Sequence, residues 1–295
     1  RILDKHDYED WQVTYVPHGI NSKKFFKIED KGDTKFKEFE ESFGFDKYKF
    51  KILYSNRNIR RKQPGDVVMS YKTFMDELTE EQRKECCLVF HTAPVDDNGT
   101  DLRAVCKSLI PNYPVIFTYD VNKNNSFNDE QMNFLFNSAD VYINIASNEG
   151  FGLGSCEALS VGTPIIVNVT GGLQDQCGFM DVSPDGGAMR YLDESDYVEL
   201  ESNHRGHYKN HGRWVKPVWP SNISLQGSPQ TPYIFDDRCS YIDAAKSIRE
   251  SYDDGPEQRE KDEQEKKRQK TKTKIATVRD KERQNETNMN QKKKI

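Results

Sequence analysis

The stretch that most restricts the fold is the run from Ala139 to Val161. Ala139-Asp140-Val141-Tyr142-Ile143-Asn144-Ile145 has the consecutive apolar, β-branched character of a buried strand. Glu157-Ala158-Leu159-Ser160 reads as helix. Between them lies Asn148-Glu149-Gly150-Phe151-Gly152-Leu153-Gly154-Ser155-Cys156-Glu157. Glycines at 150, 152 and 154 allow a tight turn and close approach of backbone to a ligand. The amides and positive dipole end of the following helix, placed over Ser155–Val161, then face that turn and favour phosphate. Two carboxylates, Glu149 and Glu157, bracket it, and carboxylates accept hydrogen bonds from hydroxyls. Phosphate flanked by hydroxyl acceptors describes a sugar nucleotide. The competing explanation, the ordinary preference for acid in a first helical turn, accounts for Glu157 but not for Glu149.

The same strand–helix alternation extends on both sides. Lys51–Ser55 is a strand, followed by a polar loop from Asn56 to Gly65. A helix follows, with Val67, Val68, Tyr71, Phe74, Met75 and Leu78 on one face. Leu88–Phe90, Val115–Thr118 and Pro164–Val167 are further strands, with helices over Leu102–Leu109 and Glu130–Asn137. Val13–Val16 is a short strand closed by Pro17-His18-Gly19. This order predicts an α/β fold, a Rossmann-like parallel sheet with helices on both faces. Residues 178–232, rich in glycine, proline and histidine, break the rhythm and are read as a long irregular insertion. A helix near Ser240–Ser251 closes the domain. The division is thus 1–12 as the end of a preceding domain or linker, 13–255 as the Rossmann-like domain, and 256–295 as a charged tail, helical or disordered.

Charge narrows the partners. The tail holds 14 Lys and Arg against 8 Asp and Glu, and with a net charge of −5 overall the first 255 residues carry −11. An acidic body argues against a nucleic-acid footprint spread over the fold, and the acids interspersed in the tail weaken one there. Six cysteines without a C-x-x-C pair fit reduced thiols in the cytoplasm. No apolar run is long enough to span a bilayer, so the protein is placed in the cytoplasm, at most peripheral to a membrane. Arg1 opens the chain without Met, pointing to a missing upstream segment.

Basic residues after the first strand complete the expected site. Arg57 and Lys62 follow Lys51–Ser55 in Asn56-Arg57-Asn58-Ile59-Arg60-Arg61-Lys62, and ligands of open α/β sheets bind beyond the carboxyl ends of the strands. Arg supplies a planar fork for phosphate and Lys a point charge. Arg60 and Arg61 are assigned to a solvated basic loop. Thr118 and Tyr119 sit at another strand end and could offer groups to a base, and Gly171-Gly172 could form a further turn near the same ligand. His204, His207 and His211 give H-x2-H-x3-H, but Cys177 and Cys239 are remote and the histidines are read as exposed rather than as a zinc site. There is no D-x-D for a metal-bound diphosphate, so no metal and no cofactor are expected.

Taken together, Asp129-Glu130 through Asn137-Ser138-Ala139-Asp140-Val141, Glu149-Gly150-Phe151-Gly152-Leu153 through Glu157-Ala158-Leu159, Gly162-Thr163-Pro164-Ile165-Ile166 and Gly171-Gly172 resemble the family 4 retaining glycosyltransferases. Val16-Pro17-His18-Gly19-Ile20-Asn21 looks like the segment that opens their C-terminal domain. The resemblance implies the C-terminal, donor-binding half of a GT-B fold, metal-independent, acting on a nucleotide-diphosphate sugar with retention of configuration. It implies that Arg57 and Lys62 hold the donor diphosphate and that Glu149 contacts the donor sugar. By the same likeness, the backbone at Gly152 and Leu153 approaches the phosphates, Gly150 and Phe151 belong to the same donor-binding turn, and Glu157 accepts from the ribose. The acceptor, whether glycan, lipid or protein, would be held by an N-terminal domain absent here, supplied in cis or in trans. The alternatives are a non-catalytic nucleotide-sugar-binding domain or partner subunit, a sugar-nucleotide epimerase of the same fold, and a nucleic-acid-binding tail.

Overall fold

The computed structural model describes residues 18–121, 126–182, 189–191, 210–228, 231–258 and 261. Its centre is a six-stranded parallel sheet. In chain order the strands are β1 (Phe50–Tyr54), β2 (Cys86–Phe90), β3 (Val115–Phe117), β4 (Val141–Asn144), β5 (Ile165–Asn168), β6 (Met180–Val182), β7 (Met189–Tyr191), β8 (Val215–Val218), β9 (Pro220–Ser228) and β10 (Thr231–Cys239). The large sheet runs β3-β2-β1-β4-β5-β8. Its registers pair Ile52 with Leu88 and Val141, and Ile166 with Ile143 and Lys216. The chain moves outward from β1 to β3 and then returns to lay β4 on the other side of β1. That reversal opens a crevice beyond the carboxyl ends of β1 and β4.

Helices cover both faces. They are α1 (Thr34–Phe43), α2 (Pro64–Asp76), α3 (Glu80–Lys84), α4 (Leu102–Leu109), α5 (Thr118–Val121), α6 (Asp129–Ser138), α7 (Leu153–Val161) and α8 over 241–258. Ile52, Tyr54, Leu88, Phe90 and Ile143 face Val67, Tyr71 and Phe74 of α2, Leu102 of α4 and Ile248 of α8. Leu53, Val89, Tyr142, Ile165 and Val167 face Phe39 and Phe43 of α1, Phe136 of α6 and Ala158 of α7. Alternate strand residues thus enter opposite apolar layers, which is why the strands are apolar at every position.

Four local expectations need correction. The helix after the glycine-rich turn opens at Leu153 rather than Ser155, capped by Gly152 in the left-handed conformation at φ 84°. The polar loop from Asn56 to Gly65 contains a 3-10 turn, Arg60–Lys62, and already begins α2 at Pro64, where a missing N–H costs nothing. The segment 178–232 is not an irregular insertion where it is described. It supplies β8 to the main sheet, an antiparallel pair β6–β7, and β9, which forms an antiparallel hairpin with β10 beyond it. Pro217 sits in β8 itself, tolerated because β8 is an edge strand. The closing helix also runs past the expected boundary at 255. The Val13–Val16 strand, His204, His207 and the tail beyond 261 lie outside the described residues.

Candidate functional site

The crevice between β1 and β4 is built by two loops that hold each other. The loop after β1 is pinned by Asn58, fully buried, whose Nδ2 donates to the carbonyls of Thr100 at 2.7 Å, Ala93 at 3.2 Å and Pro94 at 3.3 Å. The loop after β4 is joined to it where the Ser147 amide donates to the Arg61 carbonyl at 2.8 Å. Tyr142 completes the seam from below. It is fully buried, its hydroxyl donates to the Ser55 carbonyl at 3.0 Å and accepts from Asn56 Nδ2 at 3.2 Å.

Within this frame Lys62 and Glu149 meet. Lys62 Nζ is bonded to Glu149 Oε2, and both side chains are largely buried. Burial lowers the Lys62 pKa, and the hydrogen bond and charge of Glu149 oppose that shift. Arg61 Nη1 adds a looser contact to the same carboxylate oxygen at 3.7 Å while donating to the Asn148 carbonyl at 2.8 Å. Glu149 therefore lies among cations, at the mouth of α7.

The backbone after Glu149 is set by its neighbours. Gly172 N–H donates to the Glu149 carbonyl at 2.9 Å. Gly171 has φ 48°, and a Cβ there would stand 2.1 Å from that carbonyl oxygen. Gln176 Nε2 donates to the Phe151 carbonyl and, at 3.2 Å, to that of Gly152. The Gly171-Gly172 turn is thus a clamp on the Glu149–Gly152 loop. The ring of His18 stacks on Phe151 from outside, with centroids 4.9 Å apart. Among the described residues no side chain caps α7, so its first-turn amides at Leu153 and Gly154 are left for an external acceptor. Gly154 is required here by space: a Cβ would meet Tyr142 Oη at 2.4 Å.

Glu157, one turn into α7, is half-buried, and burial raises its pKa. The Tyr142 phenol is pushed well up, first by burial and then by the negative charges of Glu157 and Glu149. Both carboxylates therefore act on the same buried hydroxyl.

The other expected residues are arranged differently. Arg57 turns to the loop after β2, where its Nε meets Asp96 Oδ2 at 2.9 Å, and it is mostly exposed. This pair raises the Arg57 pKa and lowers that of Asp96. Thr118 is buried with its Oγ1 2.9 Å from His91 Nδ1, and Tyr119 is half-buried in α5, so helix rather than loop follows β3. Burial lowers the His91 pKa to about 4, which keeps that ring neutral near pH 7. His211, the described member of the histidine triplet, has its Nδ1 2.9 Å from the Gly212 carbonyl oxygen. Among the described residues no group of three metal-ligating side chains is present.

Sequence reasoning missed the hairpin's role. The Asp237 amide donates to the Ser147 carbonyl at 2.9 Å, Asn168 Nδ2 donates to the Asp237 carbonyl, and Thr170 Oγ1 donates to Asp237 Oδ2 at 2.8 Å. Ser147 Oγ also bonds Asp236 Oδ1 at 3.2 Å, and Asn148 Nδ2 donates to the Phe235 carbonyl at 3.4 Å. Arg238 forms a fork with Asp66 near the start of α2, the shortest contact being 2.8 Å. The base of β10 is therefore rooted on the two residues that precede Glu149. Only the apolar run Tyr233-Ile234-Phe235 hinted at a strand there.

Comparison with known proteins agrees with this geometry. Residues 35–178 match the family model for Glycosyl transferases group 1. A glycosyltransferase from Rickettsia africae aligns with 89% of this chain and 54% of its own, at 14% identity and a TM-score of 0.53. HepE of Anabaena, solved in complex with UDP and glucose, aligns over 85% of this chain and 50% of its own, at 12% identity and a TM-score of 0.51. These likenesses establish the fold, and the chain spans about half the length of each structure. No curated protein matches the chain.

Proposed function

Through residues 35–178 the chain belongs to the glycosyl transferases group 1, and from that premise we propose that it binds a nucleotide-diphosphate sugar as the donor half of a retaining glycosyltransferase. The observation that carries this reading is the buried Lys62–Glu149 pair at the uncapped start of α7. A diphosphate entering the crevice would take the Lys62 ammonium and the Leu153 and Gly154 amides, exchanging one anionic partner of Lys62 for another. Glu149, released from that bond, would accept from hydroxyls of the donor sugar, and Glu157 from the ribose. HepE, solved with UDP and glucose, makes UDP the first probe to try.

In the transfer step the bond between the anomeric carbon and the diphosphate oxygen breaks, and the acceptor oxygen bonds to the same face of that carbon. The acceptor proton passes to the departing diphosphate oxygen. Lys62 and the α7 amides would stabilise the charge that grows on the diphosphate, which is where preorganised donors contribute most. Arg57 would join them by leaving Asp96, an exposed pair worth little by itself. The acceptor domain would come from the half of the fold that this chain does not span.

Calorimetric titration of the full chain with UDP and UDP-glucose tests the proposal. Binding that weakens in Lys62→Ala supports it. Affinity unchanged in that variant removes Lys62 from the diphosphate site. A second reading is a nucleotide-sugar-binding subunit without transfer activity. Donor hydrolysis by the full chain would count against it.

A further inference from the structure

His91, which no part of the donor assignment uses, stands at the carboxyl end of β2. It is the first residue past that strand, and its amide donates to the carbonyl of Tyr54, the last residue of β1, at 2.9 Å. It continues the alternation of Cys87 and Val89, which enter the layer covered by α1, α6 and α7. Phe127 of that layer packs on its ring, with centroids 4.6 Å apart, so the imidazole lies on the same face of the sheet as α7. The order β2-β1-β4 sets His91 two strand spacings, ~10 Å, from the loop that opens α7. A nucleotide with its diphosphate on the α7 amides and its ribose on Glu157 has a base still to place. On the β5 side the 3-10 turn Gly171–Gln176 is clamped onto the Glu149–Gly152 loop and fills the sheet edge. The β2 side is left for the base.

The hydrogen bonds around His91 fix what it offers there. Thr118 Oγ1 stands 2.9 Å from His91 Nδ1 and donates to the Phe90 carbonyl at 3.4 Å. The single hydroxyl proton is thus spent on that carbonyl, so Oγ1 accepts and Nδ1 carries the imidazole proton. Nε2 is left as a lone pair, and among the described residues no protein donor meets it. Burial, which lowers the pKa of this ring to about 4, keeps Nε2 unprotonated near pH 7. The side chain is only half-buried, so the end of the ring that Thr118 does not hold is the end a ligand can reach. Uracil and guanine carry a hydrogen on the ring nitrogen of their pairing edge, whereas cytosine and adenine carry a lone pair there. A fixed acceptor binds the first two and opposes the others.

We infer that His91 selects the base of the donor nucleotide, its Nε2 accepting from the ring N–H of uracil or guanine, and that Thr118 is the positioning residue that holds the imidazole in this tautomer. The inference rests on the donor reading and names the class of base which that site takes. Calorimetric titration of the full chain with UDP, CDP, GDP and ADP tests it, because each pair is close in size and differs at the ring nitrogen. Wild type is expected to bind UDP about 10-fold more tightly than CDP, or GDP than ADP, the size of one hydrogen bond made against one lone pair opposed. The tighter of UDP and GDP identifies the base as pyrimidine or purine. His91→Gln, whose amide turns to donate as readily as to accept, should remove that preference. Thr118→Val is close in size but takes away the acceptor for Nδ1–H, so the ring adopts either tautomer and the preference falls again.

Thermal melting checks that both variants fold. A histidine that only supports the fold would weaken all four nucleotides in proportion when replaced, and unchanged ratios in both variants overturn the inference. Equal affinity of wild type for UDP and CDP and for GDP and ADP overturns it as well, in a comparison that needs no variant. Either result, with binding still dependent on Lys62, leaves the donor reading standing and removes only the role of His91. If none of the four nucleotides binds, the donor reading falls and takes this inference with it.

Discussion

Lys62 and Glu149, 87 residues apart in sequence, are bound to each other at the point where the strand order of the sheet reverses. Each belongs to a loop at a strand's carboxyl end, and each is shielded by the other's loop. A largely buried pair of this kind is costly to break from one side, because the remaining charge is stranded. Glu149→Ala should therefore lower the melting temperature, since it strands a lysine whose pKa burial already lowers. Lys62→Ala should weaken UDP binding by about 10- to 100-fold, the range of a charge-assisted hydrogen bond in a shielded site. If the double variant loses no less stability than the sum of the two single ones, the pair is not coupled in solution.

Gly171 carries the geometry of that pair. Its φ of 48° and the Glu149 carbonyl oxygen, which would lie 2.1 Å from an added Cβ, leave no room for a side chain. Gly171→Ala should cost about 2 kcal/mol in chemical denaturation, from strained backbone and displacement of the Glu149 loop. Gly65→Ala is the control. Gly65 lies in α2 with nothing within 4 Å of an added Cβ, and alanine there should be neutral or stabilising by ~0.5 kcal/mol. Equal effects of the two substitutions would rule out the clamp.

The strands β1 to β5 were legible because both faces of the sheet are covered, so burial leaves an unbroken apolar run in the sequence. β8 was hidden by Pro217, which reads as a breaker until the strand is known to lie at an edge. The hairpin was hidden because Pro220 in β9 and Pro232 in β10 read as breakers in the sequence. In the site, Lys62 and Glu149 were legible from their places at strand ends. The turn of Arg57 toward Asp96 was not, because partner choice among exposed charges depends on how two loops pack. Asp237 gave no signal at all, since Asp236-Asp237 in sequence looks like any solvated acidic pair.

Glu157 provides a test of the ribose assignment. It is half-buried on α7, and burial raises its pKa, so its charge is retained at some cost that a hydroxyl donor would offset. Glu157→Gln keeps the shape and removes the charge. It should weaken UDP about 10-fold, as expected for one hydrogen bond to a charged group. The wild-type protein should also prefer UDP to 2′-deoxy-UDP, and the variant should lose most of that preference. The same preference in both proteins would separate Glu157 from the sugar of the nucleotide.

The pH dependence of stability should centre on Asp237. Its side chain is fully buried, Oδ1 has no partner among the described residues, and Oδ2 is held by the Thr170 hydroxyl alone. Burial raises its pKa from 3.8 to about 6, opposed by Thr170 and assisted by the neighbouring charge of Asp236. The folded state thus holds this proton more tightly than the unfolded chain. The contribution is complete below pH ~4 and is lost as pH rises through about 6, a change of about 2–3 kcal/mol. Asp237→Asn, which cannot ionise, should remove that decline while keeping an acceptor for Thr170. Melting temperatures from pH 4 to 8 should therefore fall further in wild type than in the variant. Parallel curves would show that Asp237 is solvated in solution, and with it that the hairpin root is looser than its hydrogen bonds to Ser147, Asn168 and Thr170 imply.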